Sequence, residues 1–299
     1  MVLESLTTPQ RAERKPWDLF FIGIIYAAVG LFLAIWVFKE EASIVMVLLT
    51  VVACVPLIYN TLRLEEEKDT VIESERTLLK EHGRALSFFM FLFVGFCIAF
   101  SLAYIFLPET IVEAAFQTQV NTIKNINVQI SGGSINTGAI SGSTNLEGDT
   151  IGNATLFLQI FLNNFKVMLF CIFFSFFYGA GAIFILTWNA SVISAAIGTF
   201  FRTNISEYAS SLGFVKIAGY FHIYSLSLLR YFVHGLPEIL AYFIGGLAGG
   251  IISVAVIRHD FGTRTFRRIL RDAFDLFLVG VVVLLIAAGI EVYITPLLF

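Results

Sequence analysis

Residues 19–38, LFFIGIIYAAVGLFLAIWVF, form a run of 20 residues without a charged side chain. A helix rises 1.5 Å per residue, so about twenty apolar residues cross the hydrocarbon core of a bilayer. The run follows a polar, basic segment and ends at Lys39-Glu40-Glu41. A secretory signal peptide would have a shorter apolar run and a small-residue cleavage site. The pattern therefore predicts a retained first transmembrane helix.

The composition of the whole chain agrees with a bilayer as its surroundings. Of 299 residues, 58% are hydrophobic and only 14% are charged, with a net charge of −3, whereas soluble domains are nearer a quarter charged. This balance predicts an all-α polytopic membrane protein in contact with lipid and no nucleic-acid partner. The three cysteines, Cys54, Cys97 and Cys171, lie in apolar runs and are expected to pack as small apolar side chains.

Six apolar runs, including the first, define the expected topology. Clean spans are predicted at 19–38, 42–60, 86–107, 165–186, 239–257 and 273–296. Trp188-Asn189 is expected to break the long run 167–201, with Asn189 capping a short helix at 191–201. Only one of the segments 191–201 and 207–233 can cross fully. The prediction is about seven full spans plus one short or re-entrant helix.

The polar segments between these spans set the predicted domain limits and orientation. Residues 1–18, 61–84 and 258–272 carry three, five and five Lys or Arg residues, whereas 109–155 has one, Lys124. The positive-inside rule then places the N-terminus in the cytoplasm and the C-terminus outside. The predicted units are a transmembrane hairpin at 19–60, a cytoplasmic amphipathic helix at 61–84, a third span at 85–108, and a Ser/Gly-rich extracytoplasmic loop at 109–155.

Polar residues beside the later spans are the candidates for a site. His234 and Glu238 are four residues apart and share a helix face, with Pro237 expected in the first helical turn. An ionisable residue in a membrane helix indicates function unless it is paired. The structural alternative is that both side chains satisfy helix-end donors or the amides of Asn163 and Asn164.

Other polar and glycine residues favour structural roles. Close helix packing is predicted for the glycines at Gly179, Gly181, Gly245, Gly246, Gly249 and Gly250. Asp272 and Asp275 are expected to cap the last helix, and Glu291 to reach the membrane interface. His234 and Glu238 lack a third ligand, and neither a nucleophile elbow nor a phosphate-binding loop is present. The sequence therefore predicts no enzyme, no cofactor and no metal site.

The second half of the chain resembles the stage II sporulation protein M family. The likeness covers about residues 157–299 and rests on Asn163-Asn164, a Gly-rich 179–181, Asn189, and His234-Gly235 followed by Glu238 and a Gly-rich span. It implies that residues 156–299 form a family-like membrane domain. It also implies a partner-binding or functional polar cluster made of Asn163, Asn164, Asn189, His234, Gly235 and Glu238.

The resemblance implies a membrane scaffold that holds peptidoglycan-degrading partners. The preferred interpretation is a non-catalytic scaffold in the cell membrane for envelope-remodelling proteins, and a homo-oligomer is compatible with it. A transporter or channel is the alternative, because broken helices, membrane polar residues and glycine-rich packing are typical of transporters. An intramembrane enzyme comes third.

Overall fold

The computed structural model describes residues 15–71, 75–132, 149–175, 180–205, 214–258 and 262–298. These residues are helical almost throughout and contain no strand, which confirms the all-α prediction. The helices are α1 Asp18–Val37, α2 Ala42–Val71, α3 Glu75–Phe106, α4 Glu109–Gly132, α5 Asp149–Phe174, α6 Ala180–Asn204, α7 Phe214–Arg258 and α8 Arg264–Gly289, followed by a π-helical segment Ile290–Ile294 and α9 Thr295–Leu298.

Seven helices in the described part of the chain are long and apolar enough to cross a membrane. Their candidate spans are Asp18–Val37, Ala42–Lys68, Thr77–Phe106, Gly152–Phe174, Ala182–Asn204, Gly235–Ile257 and Arg264–Leu298. Large apolar side chains on the outer helices face outward, such as Trp36 with 73% and Phe274 with 56% of its surface exposed. Such a surface is stable in lipid and not in water. The chain is therefore a multi-pass membrane protein with the predicted number of spans.

The boundary between the fourth and fifth spans differs from the prediction. The predicted span 165–186 straddles two helices, because α5 ends at Phe174 and α6 begins at Ala180. Asn189 lies inside α6, where its Nδ2 donates a 2.8 Å hydrogen bond to the carbonyl of Ile185. An asparagine that bonds to the preceding turn can remain within a helix, so it does not cap a new one. The segment 191–201 is part of the fifth span.

Helix α7 joins two segments that the sequence separates. Its 45 residues would measure about 67 Å if straight, about twice the hydrocarbon core. The rings of Tyr220 and Tyr224 both contact Phe201, and Arg230 lies over the ring of Phe200. Because three turns of α7 contact two adjacent residues of α6, this part crosses the end of α6. We call residues 214–234 the arm.

The later part of α7 runs beside α5 as the sixth span. Pro237 lies inside α7, far from its start at Phe214, so its predicted position in a first helical turn is wrong. Proline has no N–H for the carbonyl four residues earlier and loosens the helix there. Membrane helices tolerate this because neighbouring helices hold them in place. The sixth span is 83% buried, more than any other candidate span of the described chain.

The predicted amphipathic helix 61–84 is instead the ends of α2 and α3, which form an extended helical hairpin. Buried polar groups link the two helices. His82 Nδ1 lies 2.7 Å from Glu65 Oε2, and Lys68 Nζ donates to Glu65 Oε1 at 2.6 Å. The same lysine lies 3.7 Å from Glu81. The sequence did not reveal the turn between α2 and α3. Both helices have the same helical spacing of apolar and charged residues, so together they resemble one continuous helix.

Most of the predicted Ser/Gly-rich loop 109–155 is helix. Residues 109–132 form α4, whose Val112, Ala115, Phe116 and Gln119 are buried. Gln119 Nε2 donates to the carbonyl of Ser43 at 2.9 Å, which holds α4 against the start of α2. The many Thr, Asn and Gln residues conceal the three-to-four-residue spacing of this buried face. Residues 149–155 are the start of α5, and residues 133–148 lie outside the described part of the chain.

Glycines let several helices approach closely. An added Cβ at Gly249 would meet the backbone carbonyl of Ile172 in α5, and one at Gly245 would lie 2.8 Å from Met168 Cγ. Gly246 faces Ala182 and Gly250 faces Leu62. Gly181 lies in α6, and Gly179 lies outside the described residues. A further contact that the sequence did not indicate joins Gly23 of α1 to Gly95 of α3.

Candidate functional site

A polar cluster lies between α5, α7 and the π-helical segment. Asn164 Nδ2 donates a hydrogen bond to Glu238 Oε1, and Tyr242 donates its hydroxyl hydrogen to Asn164 Oδ1 at 2.6 Å. Glu238 and Tyr242 are one turn apart on α7, so one amide bonds to both. The side chain of Tyr242 is 3% exposed. We call Asn164, Glu238, Tyr242 and Glu291 the polar cluster.

Glu291 completes this cluster from the π-helical segment Ile290–Ile294. Its carboxyl group lies close enough to that of Glu238 for the two to interact electrostatically. A π-helical turn holds one more residue than an α-turn and changes the direction of the side chains that follow. Glu291 therefore faces Glu238 while its side chain stays partly exposed, and its predicted position at the membrane interface stays a prediction.

The cluster lies inside two candidate spans. Glu238 is near the start of Gly235–Ile257, and Glu291 is in the last part of Arg264–Leu298. Both positions are far along their helices from the turn that joins α7 to α8. An ionisable side chain in a span costs a few kcal/mol unless it has a partner. The amide of Asn164 is that partner for Glu238, so the cluster ties the sixth span to α5.

Among the predicted cluster residues whose side chains the structure describes, it brings together Asn164 and Glu238. Asn164 contacts Glu238, whereas the neighbouring Asn163 is exposed. Asn189 is bonded within α6. Gly235 is buried, and an added Cβ there would lie 3.8 Å from Ile193. His234 lies in α7, but its side chain is outside what the structure describes.

A second group of ionisable side chains lies at the opposite end of α8. A cavity of about 330 Å³ between α3 and α8 is lined by His82, Asp272 and Asp275. Thr263 caps α8, since its hydroxyl oxygen accepts from the Phe266 amide at 3.1 Å. The two aspartates therefore do not cap the helix as predicted. Asp272 lies 4.0 Å from Arg268. No set of ligands for a metal ion occurs among the residues that the structure describes.

Comparison with known proteins places the chain in a family. The family model described as stage II sporulation protein M matches residues 84–296, well over half of the chain. No curated protein and no solved structure matches it. The matched region begins within α3 and includes the polar cluster, α4 and the arm, so it extends further toward the N-terminus than the residues that first indicated the resemblance. The chain belongs to the stage II sporulation protein M family.

Proposed function

We propose that the chain is a non-catalytic membrane scaffold that organises proteins that remodel the cell envelope. The observation that supports this is that polar side chains inside the spans form hydrogen bonds between one span and another. Asn164 joins Glu238 and Tyr242, Ser175 donates to the carbonyl of Gly246 at 2.8 Å, and a third bond of this kind joins α6 to α3. Each bond connects one span to another, which favours a rigid platform over a moving pathway.

The platform offers an extensive surface at one end. Seven alternating spans put α4, the arm and the C-terminus on the side opposite the basic hairpin tips. The Lys and Arg distribution of the sequence favours the cytoplasm for those tips. On this basis α4 and the arm face the outside, where envelope hydrolases act. The arm exposes Phe221 with 73% of its surface accessible, together with Leu226 and Leu229. These side chains are suited to contact a partner.

Photo-crosslinking in native membranes tests the scaffold. A photoreactive phenylalanine at Phe221 is expected to crosslink to an envelope hydrolase or a secreted surface protein, which mass spectrometry after mild-detergent purification would identify. Phe274 is the matched control, because it is 56% exposed on α8 within a span. Its crosslinks should go to lipid. A protein that purifies alone, or only as a homo-oligomer, with no Phe221-specific partner would contradict the proposal.

A transporter is the second candidate, and one specific observation favours it. Glu238 and Glu291 are two membrane carboxyl groups close enough to interact electrostatically, and they lie in a proline-containing helix and a π-helical segment. Transporters place coupling ions at interrupted helices of this kind. The scaffold predicts that proteoliposomes with the full chain conduct protons no faster than protein-free liposomes. Proton flux that is lost in Glu238→Gln, with the protein still inserted, would instead support transport.

A further inference from the structure

A polar cleft of about 560 Å³ lies between α4, the end of α3 and the last turns of α6. Its volume is in the range of small-molecule sites, roughly 300–1,000 Å³. One wall is the exposed face of α4, which carries Glu109, Glu113 and, about three turns further along, Lys124. The opposite wall carries Arg202 and Thr199 of α6.

Arg202 is held in a fixed position in this cleft. Its Nη2 donates to the carbonyl of Leu107 at 2.6 Å, and its guanidinium lies 5.5 Å from the ring centre of Tyr104. The Tyr104 hydroxyl is 2.9 Å from that of Thr199. A guanidinium has five N–H donors, and the hydrogen bonds described for Arg202 use Nη2 alone. The N–H groups of Nε and Nη1 can therefore donate to an anionic group in the cleft.

The charges of the cleft indicate the class of ligand. Two carboxylates, Glu109 and Glu113, are one turn apart, and two cations, Arg202 and Lys124, share the same cleft. None of the ion pairs described in the structure joins these four residues. A purely anionic ligand would be repelled by the carboxylates, and a purely cationic one by Arg202 and Lys124. A ligand that carries both charges satisfies both groups.

The position of the cleft narrows this class further. It opens where the candidate spans Thr77–Phe106 and Ala182–Asn204 end, at the level of the lipid head groups. We propose that the cleft binds a phosphoethanolamine group, with its phosphate on Arg202 and its ammonium on Glu109 and Glu113. Arginine matches phosphate oxygens with parallel N–H donors, and carboxylates accept from a primary ammonium. The inference goes beyond the scaffold and does not depend on it.

Native mass spectrometry of the full chain in detergent tests this site. Phosphatidylethanolamine is expected to bind about tenfold more tightly than phosphatidylcholine, whose methylated ammonium cannot donate hydrogen bonds. The double variant Glu109→Gln/Glu113→Gln should lose this preference. Both side chains are exposed, so the substitutions leave the buried face of α4 intact. The control is Glu40→Gln/Glu41→Gln, an exposed acidic pair in the turn between α1 and α2, and it should keep the preference.

Soluble glycerophosphoethanolamine distinguishes the two sources of the group. Displacement of the lipid by this compound would show that the head group suffices and that a free ligand can bind. Binding of the lipid alone would assign the site to the membrane leaflet. Equal binding of the two lipids, or a preference that survives in the Glu109→Gln/Glu113→Gln variant, would overturn the proposal.

Discussion

Replacing Asn164 by alanine is expected to lower the free energy of unfolding by about 2–3 kcal/mol. The substitution removes the donor to Glu238 and the acceptor of the Tyr242 hydroxyl in one step. Tyr242 is buried and Glu238 is half-buried within a span, so water replaces the lost bonds poorly. The carboxyl pair of Glu238 and Glu291 also loses the amide that supports it. The loss should therefore exceed that of one ordinary hydrogen bond.

Asn163→Ala is the matched control for this substitution. It makes the same chemical change one residue earlier in the same helix, but Asn163 is exposed. Its effect should stay within about 0.5 kcal/mol. The two variants are compared by heating detergent-solubilised protein and following the folded fraction by size-exclusion chromatography. Equal loss of folded protein in both variants would show that Asn164 does not hold the polar cluster together.

The number of spans could be predicted from the sequence because it depends on the length of apolar runs. Residues 19–38 and 239–257 are charge-free and nearly match the candidate spans Asp18–Val37 and Gly235–Ile257. The place where one span ends and the next begins could not be read in 167–201, because no charge marks the turn. The helix α4 was missed for a different reason. Its polar composition suggested a loop. The structure shows instead that Gln119 is buried and donates a hydrogen bond to α2.

The candidate site could also be predicted only in part from the sequence. The contact between Asn164 and Glu238 was one of two alternatives, since a membrane carboxylate requires a partner. Tyr242 follows Glu238 by one helical turn, so it lies on the same helix face and can bond to the same amide. Glu291 was assigned to the membrane interface because it lies near the outer end of the last predicted span, 273–296. The extra residue of a π-helical turn leaves no simple pattern in the sequence.

Replacing Gly249 by alanine is expected to reduce the yield of folded protein more than any other single glycine-to-alanine change in the sixth span. The added Cβ would meet the carbonyl oxygen of Ile172 and lie 2.9 Å from its Cα. Both are backbone atoms, so a side-chain rotation cannot relieve the contact and α5 must move away from α7. Overpacking of this kind costs about 1–3 kcal/mol or more. The displacement would also disturb Asn164, which lies two turns away on α5.

Gly289→Ala is the control, because an added Cβ there meets no atom within 4 Å. Alanine favours a helix over glycine by about 0.8–1 kcal/mol, so this variant should be as stable as the original chain or more stable. Gly246→Ala should fall between the two, since its new Cβ would lie 3.3 Å from the methyl group of Ala182. Thermal stability in detergent, measured side by side, gives the order. If Gly249→Ala matched Gly289→Ala, the close approach of α5 and α7 would be excluded. The polar cluster would then need another support, because those two helices carry three of its four residues.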